Sequence, residues 1–368
     1  MARITSLSIL TTADGKDYLA EVYGPVIENI ATKSISSIFK NQELSGDPAG
    51  GTVEAKRFAN AQVDEYGTAR AAGKGNNIKA KPVIIALNKD KEITEEIEEK
   101  DVRLYGVDSV IERRSKNHEV TMRKHLEKEF FNVASGSGQV FTTTETDTAK
   151  KVEALIVKIE ETNNEFVDGV DRSVIGVVVD AKTYSNLRTE IDTYQNANIS
   201  TADAEFGLFH GCLVVKSTDL PEGVEMVGMV FGSVAQPVMV DLLVPEKIQA
   251  SKAYIYGLFF DYGTKEVSPD LIQVLTKGTL TVTSAAGTVS GDTKITVKEA
   301  QLAGTKYFVK SASSLTAPAV GSELTGYTEW DGVADITATT GHKLAVAEVN
   351  ADGVVIRAGS ATVVAASN

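Results

Sequence analysis

The sequence predicts an α+β protein that ends in a separate all-β domain. Three observations lead there. Helical periodicity runs through residues 101–134 and 147–166, apolar strand-like runs crowd 174–263, and from Gly278 onward period-two runs of Thr, Ala, Gly, Ser and Val take over. At 368 residues the chain is longer than one core usually serves, and at roughly 150 residues per domain two or three domains are expected.

In order, residues 1–50 read as an arm ending in a short amphipathic helix, because Tyr23, Val26, Ile27, Ile30 and Ile35 recur near helical spacing. From Gly51 to Pro82 large apolar side chains become sparse. Thr52, Val53 and Phe58 suit a strand, Gly67, Gly73 and Gly75 suit a tip, and VIIAL resumes at Val83, so 51–88 reads as a long hairpin. Limbs of roughly fifteen residues at about 3.3 Å each would reach ~50 Å. Residues 89–138 read as an acidic surface strand and then one long helix over Asp101–Ala134, with Asp101 as its cap and the Ser135–Gly138 phrase SGSG as its stop. The helical stripe is Val107, Val110, Ile111, His118, Met122, Leu126, Phe130 and Val133.

Residues 139–235 open with a helix over Asp147–Phe166 that buries Val152, Leu155, Ile156 and Ile159. The strand Val174–Val179 follows, then Asp180 caps a third helix carrying Tyr184, Leu187 and Ile191. Strands dominate from Cys212 through the segment 236–277. Residues 278–368 are expected to form a small sandwich or barrel with Trp330, Tyr307, Phe308 and Tyr327 in its core.

Hydrophobic residues at 42% and charged residues at 24% are the mixture of a folded chain, and a formal net charge of -13 argues against nonspecific duplex binding. A single cysteine, Cys212, excludes an internal disulfide, and neither a signal-peptide pattern nor a run of about 18 apolar residues is present, so cytoplasmic synthesis without membrane insertion is expected. The glycine-lysine cluster Gly67–Gly75 lacks the spacing and the terminal Ser or Thr of a phosphate loop. His210 and Cys212 have no second ligand pair at metal spacing, His118 and His125 share a helix face as packing residues would, and Asp331–Gly332 and Asp352–Gly353 lack the neighbouring acids of a calcium loop. No catalytic motif, metal site or cofactor is expected.

VEAKRFANAQVDEYGTA in the hairpin, the long helix, VVVDAKTYSNLR, GMVFGSVAQPVMVDLLVPEKI and AYIYGLFFDYGTKEVSPD follow one another in that order. Through them residues 1–277 resemble the tailed-bacteriophage major capsid protein family. The resemblance implies an N-terminal arm, an extended loop over 51–88, a spine helix within the peripheral domain 89–138, an axial domain over 139–235 and a return to the peripheral domain over 236–277. The domain over 278–368 is similar to the immunoglobulin-like or decoration modules appended to some such subunits. The implied function is self-assembly, as pentamers and hexamers, into an icosahedral shell around double-stranded DNA that is not bound sequence-specifically. A separate scaffolding protein and a portal are implied partners, assembly occurs in the host cytoplasm, and the product is a virion. Alternatives are a nanocompartment shell that encloses cargo proteins and a displayed β-module adhesin.

The resemblance also places the extended loop on a neighbouring copy. Lys56, Arg57, Arg70, Lys74, Lys79 and Lys81 make the loop basic, while Glu92, Glu95, Glu96, Glu98 and Glu99 form an acidic strip just downstream. The expectation is that each loop finds its neighbour's strip by charge.

Overall fold

The computed structural model describes residues 6–103, 105–143, 145–192, 208–302 and 304–367. It divides into two compact units. One holds the chain to Val133 together with Phe231–Val267, the other Ala134–Val230 together with Ser268–Asn368.

In the first unit the arm is a 20-residue helix, Ala13–Thr32, longer than the short helix its periodicity suggested. Its inward stripe of Tyr18, Leu19, Tyr23, Val26 and Ile30 packs on Ile111, Met122 and Leu126 of the long helix and on Tyr256, Leu258 and Phe260 of a sheet. Gly15 stands where a Cβ would come 2.1 Å from the Ile9 carbonyl oxygen. Pro25 lies on the exposed side of the helix.

The long helix runs over Val107–Ser137, offset at both ends from the expected Asp101–Ala134. Asp101 does not cap it. Gly106 sits at φ +79, a left-handed turn that interrupts the helix, and Asp101 instead closes a capping box with Glu98 on the short helix Glu99–Val102. At the other end the helix runs through Ser135–Ser137 and stops within SGSG, three residues later than Ala134. Gly138 still donates to the Ala134 carbonyl at 3.0 Å, and its missing side chain makes room for Ile272 and Val274. The first unit's sheet is built on Ala253–Tyr262, paired along its whole length with Lys89–Glu98 and on its other edge with Val238–Leu242.

The second unit has a six-stranded sheet in the order Gln139–Phe141, Ile272–Thr276, Val224–Val230, Ile175–Val179, Cys212–Lys216, Leu208–Phe209. Every residue of Ile175–Val179 is buried, as befits a central strand. The segment 236–277 is thus divided between units, since Ile272–Thr276 lies in this sheet and the chain up to Val267 lies in the first unit. The helix expected to reach Phe166 ends at Glu160, because Asn164 turns its side-chain oxygen to the N–H groups of Phe166 and Val167 and diverts the backbone into a loop. Asp180 does cap Ala181–Asp192, accepting from the Thr183 N–H at 2.7 Å; the side chain of Ile191 is outside the described residues.

Residues 278–368 form two packed sheets. One contains Val282–Ala286, Asp292–Val297 and Ile336–Thr337, the other Thr328–Trp330, Lys306–Ala312, Lys343–Val349 and Val355–Thr362. Tyr307 and Trp330 join Leu280, Ile295, Leu344 and Val346 in the core, whereas Phe308 and Tyr327 do not. Strand alternation turns Phe308 to the opposite face, and Tyr327 stays half-exposed beneath the Lys310 ammonium, 5.4 Å from its ring centre. The domain is tied to the rest of its unit around Arg357. This guanidinium is 1% exposed, is ion-paired with fully buried Glu348 and donates to the Ala300 carbonyl. Gly223 covers it so closely that a Cβ there would stand 3.1 Å from Nη1, and Lys298 pairs with Glu222 alongside.

Candidate assembly interface

The hairpin is rooted by alternation. Val53 and Ala55 on Thr52–Phe58, and Val83 and Ile85 on Ala80–Ala86, face a small core with Ala235, Val267 and half-buried Leu44. The root is tight: Lys265 donates to the Ile84 carbonyl at 3.0 Å, and a Cβ on Gly263 would stand 2.1 Å from the Ala86 carbonyl oxygen. Gly263→Ala is therefore expected to shift the hairpin base and to cost about 1–3 kcal/mol, read as a lowered urea midpoint with an unchanged slope.

Strand pairing runs for seven residues in each limb, shorter than the expected fifteen, with one further bond from the Ala59 N–H to the Lys79 carbonyl at 3.0 Å. Beyond it lie an exposed loop, a helical turn at Thr68–Ala72 and a clasp from the Asn76 amide to Asp64 at 2.6 Å. Lys56, Arg70, Lys74, Lys79 and Lys81 are exposed and Arg57 half-buried. Register sets Arg57 directly opposite Lys81, so the two limbs bring cations side by side. Sequence reading missed the apolar side of this surface. Val63 at 99%, Tyr66 at 102% and Ile78 at 87% exposure stand clear of every core cluster, and isolated large apolar residues in a core-poor stretch are the signal that could have found them.

The acidic strip is a strand, Lys89–Glu98, and its two faces differ. Glu92 and Glu96 are exposed, as is Glu99 just beyond. Glu98 is half-buried and occupied, closing the capping box and pairing with Lys100 at 2.8 Å. Glu95 differs from Glu92 and Glu96 in being half-buried and engaged within its own chain. Arg114 donates to it from Nε at 2.7 Å and again from Nη2, and Tyr256 donates at 3.2 Å. Alternation explains this: Glu95 shares its face with Ile93 and Ile97.

His118 completes that knot. It is 1% exposed, its Nδ1 lies 2.8 Å from the Tyr23 hydroxyl, and its Nε2 lies 3.2 Å from Glu95 at an angle that makes no hydrogen bond. Burial lowers the His118 pKa, against the pull of Glu95. Burial raises that of Glu95, but the Arg114 and His118 interactions outweigh it and leave Glu95 below the usual carboxylate value. Both folded-state values are depressed, so both groups contribute stability that is present above their unfolded values of 6.5 and 4.5 and is lost as pH falls. Thermal melting should weaken from pH 7 to pH 5, and His118→Gln should flatten the upper part of that slope; an unchanged slope would remove His118 from the account.

The remaining candidates for chemistry disperse. The Cys212 thiol is buried, donates to the Arg172 carbonyl at 3.3 Å and is pushed up to about 11, chiefly by burial, so it is a poor nucleophile at neutral pH. His210 turns away to Glu153 at 2.9 Å. His125 meets the Tyr262 hydroxyl at 2.8 Å. Among the described residues no group of His, Cys, Asp and Glu is placed to hold a metal ion, and no helix is long and apolar enough to cross a membrane.

Comparison with known proteins gives two likenesses. Residues 285–366 match the family model of the S-layer protein SbsC C-terminal domain. Similar solved structures include one from Mycobacterium phage Che8, with 19% identity and a TM-score of 0.49 over 66% of this chain and 90% of that one. The capsid of cyanophage P-SCSP1u matches at 13% identity and a TM-score of 0.48, over 66% of this chain and 88% of that one. A virus-like particle from Pyrococcus furiosus matches at 10% identity and a TM-score of 0.44, over 70% and 99% respectively. No curated protein matches the chain.

Proposed function

We propose that this chain is the subunit of an icosahedral shell that encloses double-stranded DNA, assembled from itself as pentamers and hexamers. The observation that carries the reading is the rooted but uncovered hairpin: its base is held by a core, while Val63, Tyr66, Ile78 and a set of cations are presented to solvent. An apolar and charged surface on a limb with no core of its own is what a contact with another copy requires. The net charge of -13 supports enclosure of DNA over adhesion to it, because an acidic wall neutralises few phosphates. A separate scaffolding protein and a portal belong to this reading, as does assembly in the host cytoplasm to give a virion. The seat for the hairpin is the exposed part of the neighbour's acidic strip, Glu92, Glu96 and Glu99.

Electron microscopy of particles recovered from expressing cells tests it. Uniform icosahedral shells containing nuclease-protected DNA are expected when scaffold and packaging proteins are supplied. Shells filled with protein cargo would replace the reading with a nanocompartment, and a subunit that stays monomeric under all assembly conditions would end it.

A further inference from the structure

Two cavities of about 880 and 740 Å³ adjoin in the second unit, sharing Phe141, Thr142 and Lys158 in their linings. The strand Gln139–Phe141, which ends its sheet, lines the second cavity along its length and reaches the first at Phe141. One edge pairs in parallel with Ile272–Thr276, and among the described residues no strand takes the other. Alternate residues of such an edge turn their N–H and C=O groups outward. Native sheets blunt exposed edges with short strands, lysine, proline or a covering loop; this strand is three residues long and carries neither lysine nor proline.

One wall is the outward stripe of the helix Thr148–Glu160 and its cap, with Lys150, Ala154, Val157 and Glu161 at helical spacing. The facing wall comes from the β domain, through Val320, Gly321 and Val354 in one cavity and Asn350–Asp352 in the other. Phe141, Val157, Val320 and Val354 make apolar stations along the cleft. Two of the charges are already engaged, Lys150 by Asp147 at 2.9 Å and Glu153 by Arg172 and His210. Glu145, Glu161 and Asp352 then stand against Lys158, three carboxylates to one ammonium.

The geometry points to a peptide-binding cleft that takes an extended, basic segment of another polypeptide as an added strand on Gln139–Phe141. The backbone edge supplies the main-chain hydrogen bonds, the apolar stations receive every second side chain, and the acidic rim selects lysine or arginine at the intervening positions. This site is separate from the hairpin and its strip, and it stands whether or not the chain forms shells.

The test uses the full chain and a fluorescein-labelled seven-residue peptide alternating lysine and valine. Saturable anisotropy is expected, with slowed amide exchange confined to 139–143. A peptide with glutamate for lysine should bind at least about tenfold more weakly, and one N-methylated along the pairing edge should lose most of its affinity. Glu161→Lys with Asp352→Lys changes two exposed side chains, so the fold should persist while the preference between lysine and glutamate peptides inverts. Equal binding of both peptides, no binding up to millimolar concentration, or binding that leaves 139–143 exchanging freely would each overturn the assignment.

Discussion

Arg70→Glu together with Lys74→Glu is expected to slow shell assembly by at least about tenfold at low salt, with less difference at high salt. Both side chains are exposed on the hairpin tip, where no core cluster depends on them, so circular dichroism and the melting temperature should not change. Each exposed ion pair is worth only about 0–1 kcal/mol, and the effect on rate comes from steering at every contact of a repeating shell. The compensating change belongs at Glu92→Lys and Glu96→Lys, which face solvent. It does not belong at Glu95, where a lysine would meet Arg114 inside the knot. Light scattering of the four combinations decides the matter. Partial recovery in the double reversal supports docking of loop on strip; reversed loops that assemble at the native rate would leave backbone pairing and the apolar residues Val63, Tyr66 and Ile78 as the means of attachment.

Arg357→Met is expected to have the largest effect on stability, about 3–5 kcal/mol, because it strands the Glu348 carboxylate with no cation in a site closed to water. Thr305 and the Leu302 N–H still donate to that carboxylate, at 2.6 and 2.8 Å, which softens the loss but does not replace the charge. Adding Glu348→Gln should recover part of it, since an amide keeps an acceptor for those donors and removes the buried charge. The measurement is the urea midpoint of the isolated subunit. A loss below 1 kcal/mol would mean that water reaches the pair. Arg357 also abuts Gly223, so the same variant should loosen the β domain from the rest of its unit, visible as increased proteolysis near Lys277.

What the sequence determined by itself are the features that depend on neighbours along the chain. The 3.6-residue stripe revealed the long helix and its buried Ile111, Met122, Leu126 and Phe130, Asp180 was legible as a cap, and the change of composition at Gly278 marked a β region whose paired sheets the structure contains. The hairpin was legible as a stretch without a core, though its seven-residue pairing was not. Only the tertiary structure decided which charges are available. Glu92 and Glu95 look alike in KEITEEIEEKD, yet one faces solvent and the other meets Arg114 and His118 of the long helix and Tyr256 of the strand Ala253–Tyr262. It likewise decided that Ile272–Thr276 pairs with Gln139–Phe141, whose other edge no strand takes among the described residues, and that Gly15, Gly138 and Gly263 serve close approach. The physical reason is the same throughout. Periodicity and capping are set by interactions within a few residues, whereas burial, ion pairing and sheet order are settled by whichever distant segments win the competition for the same face.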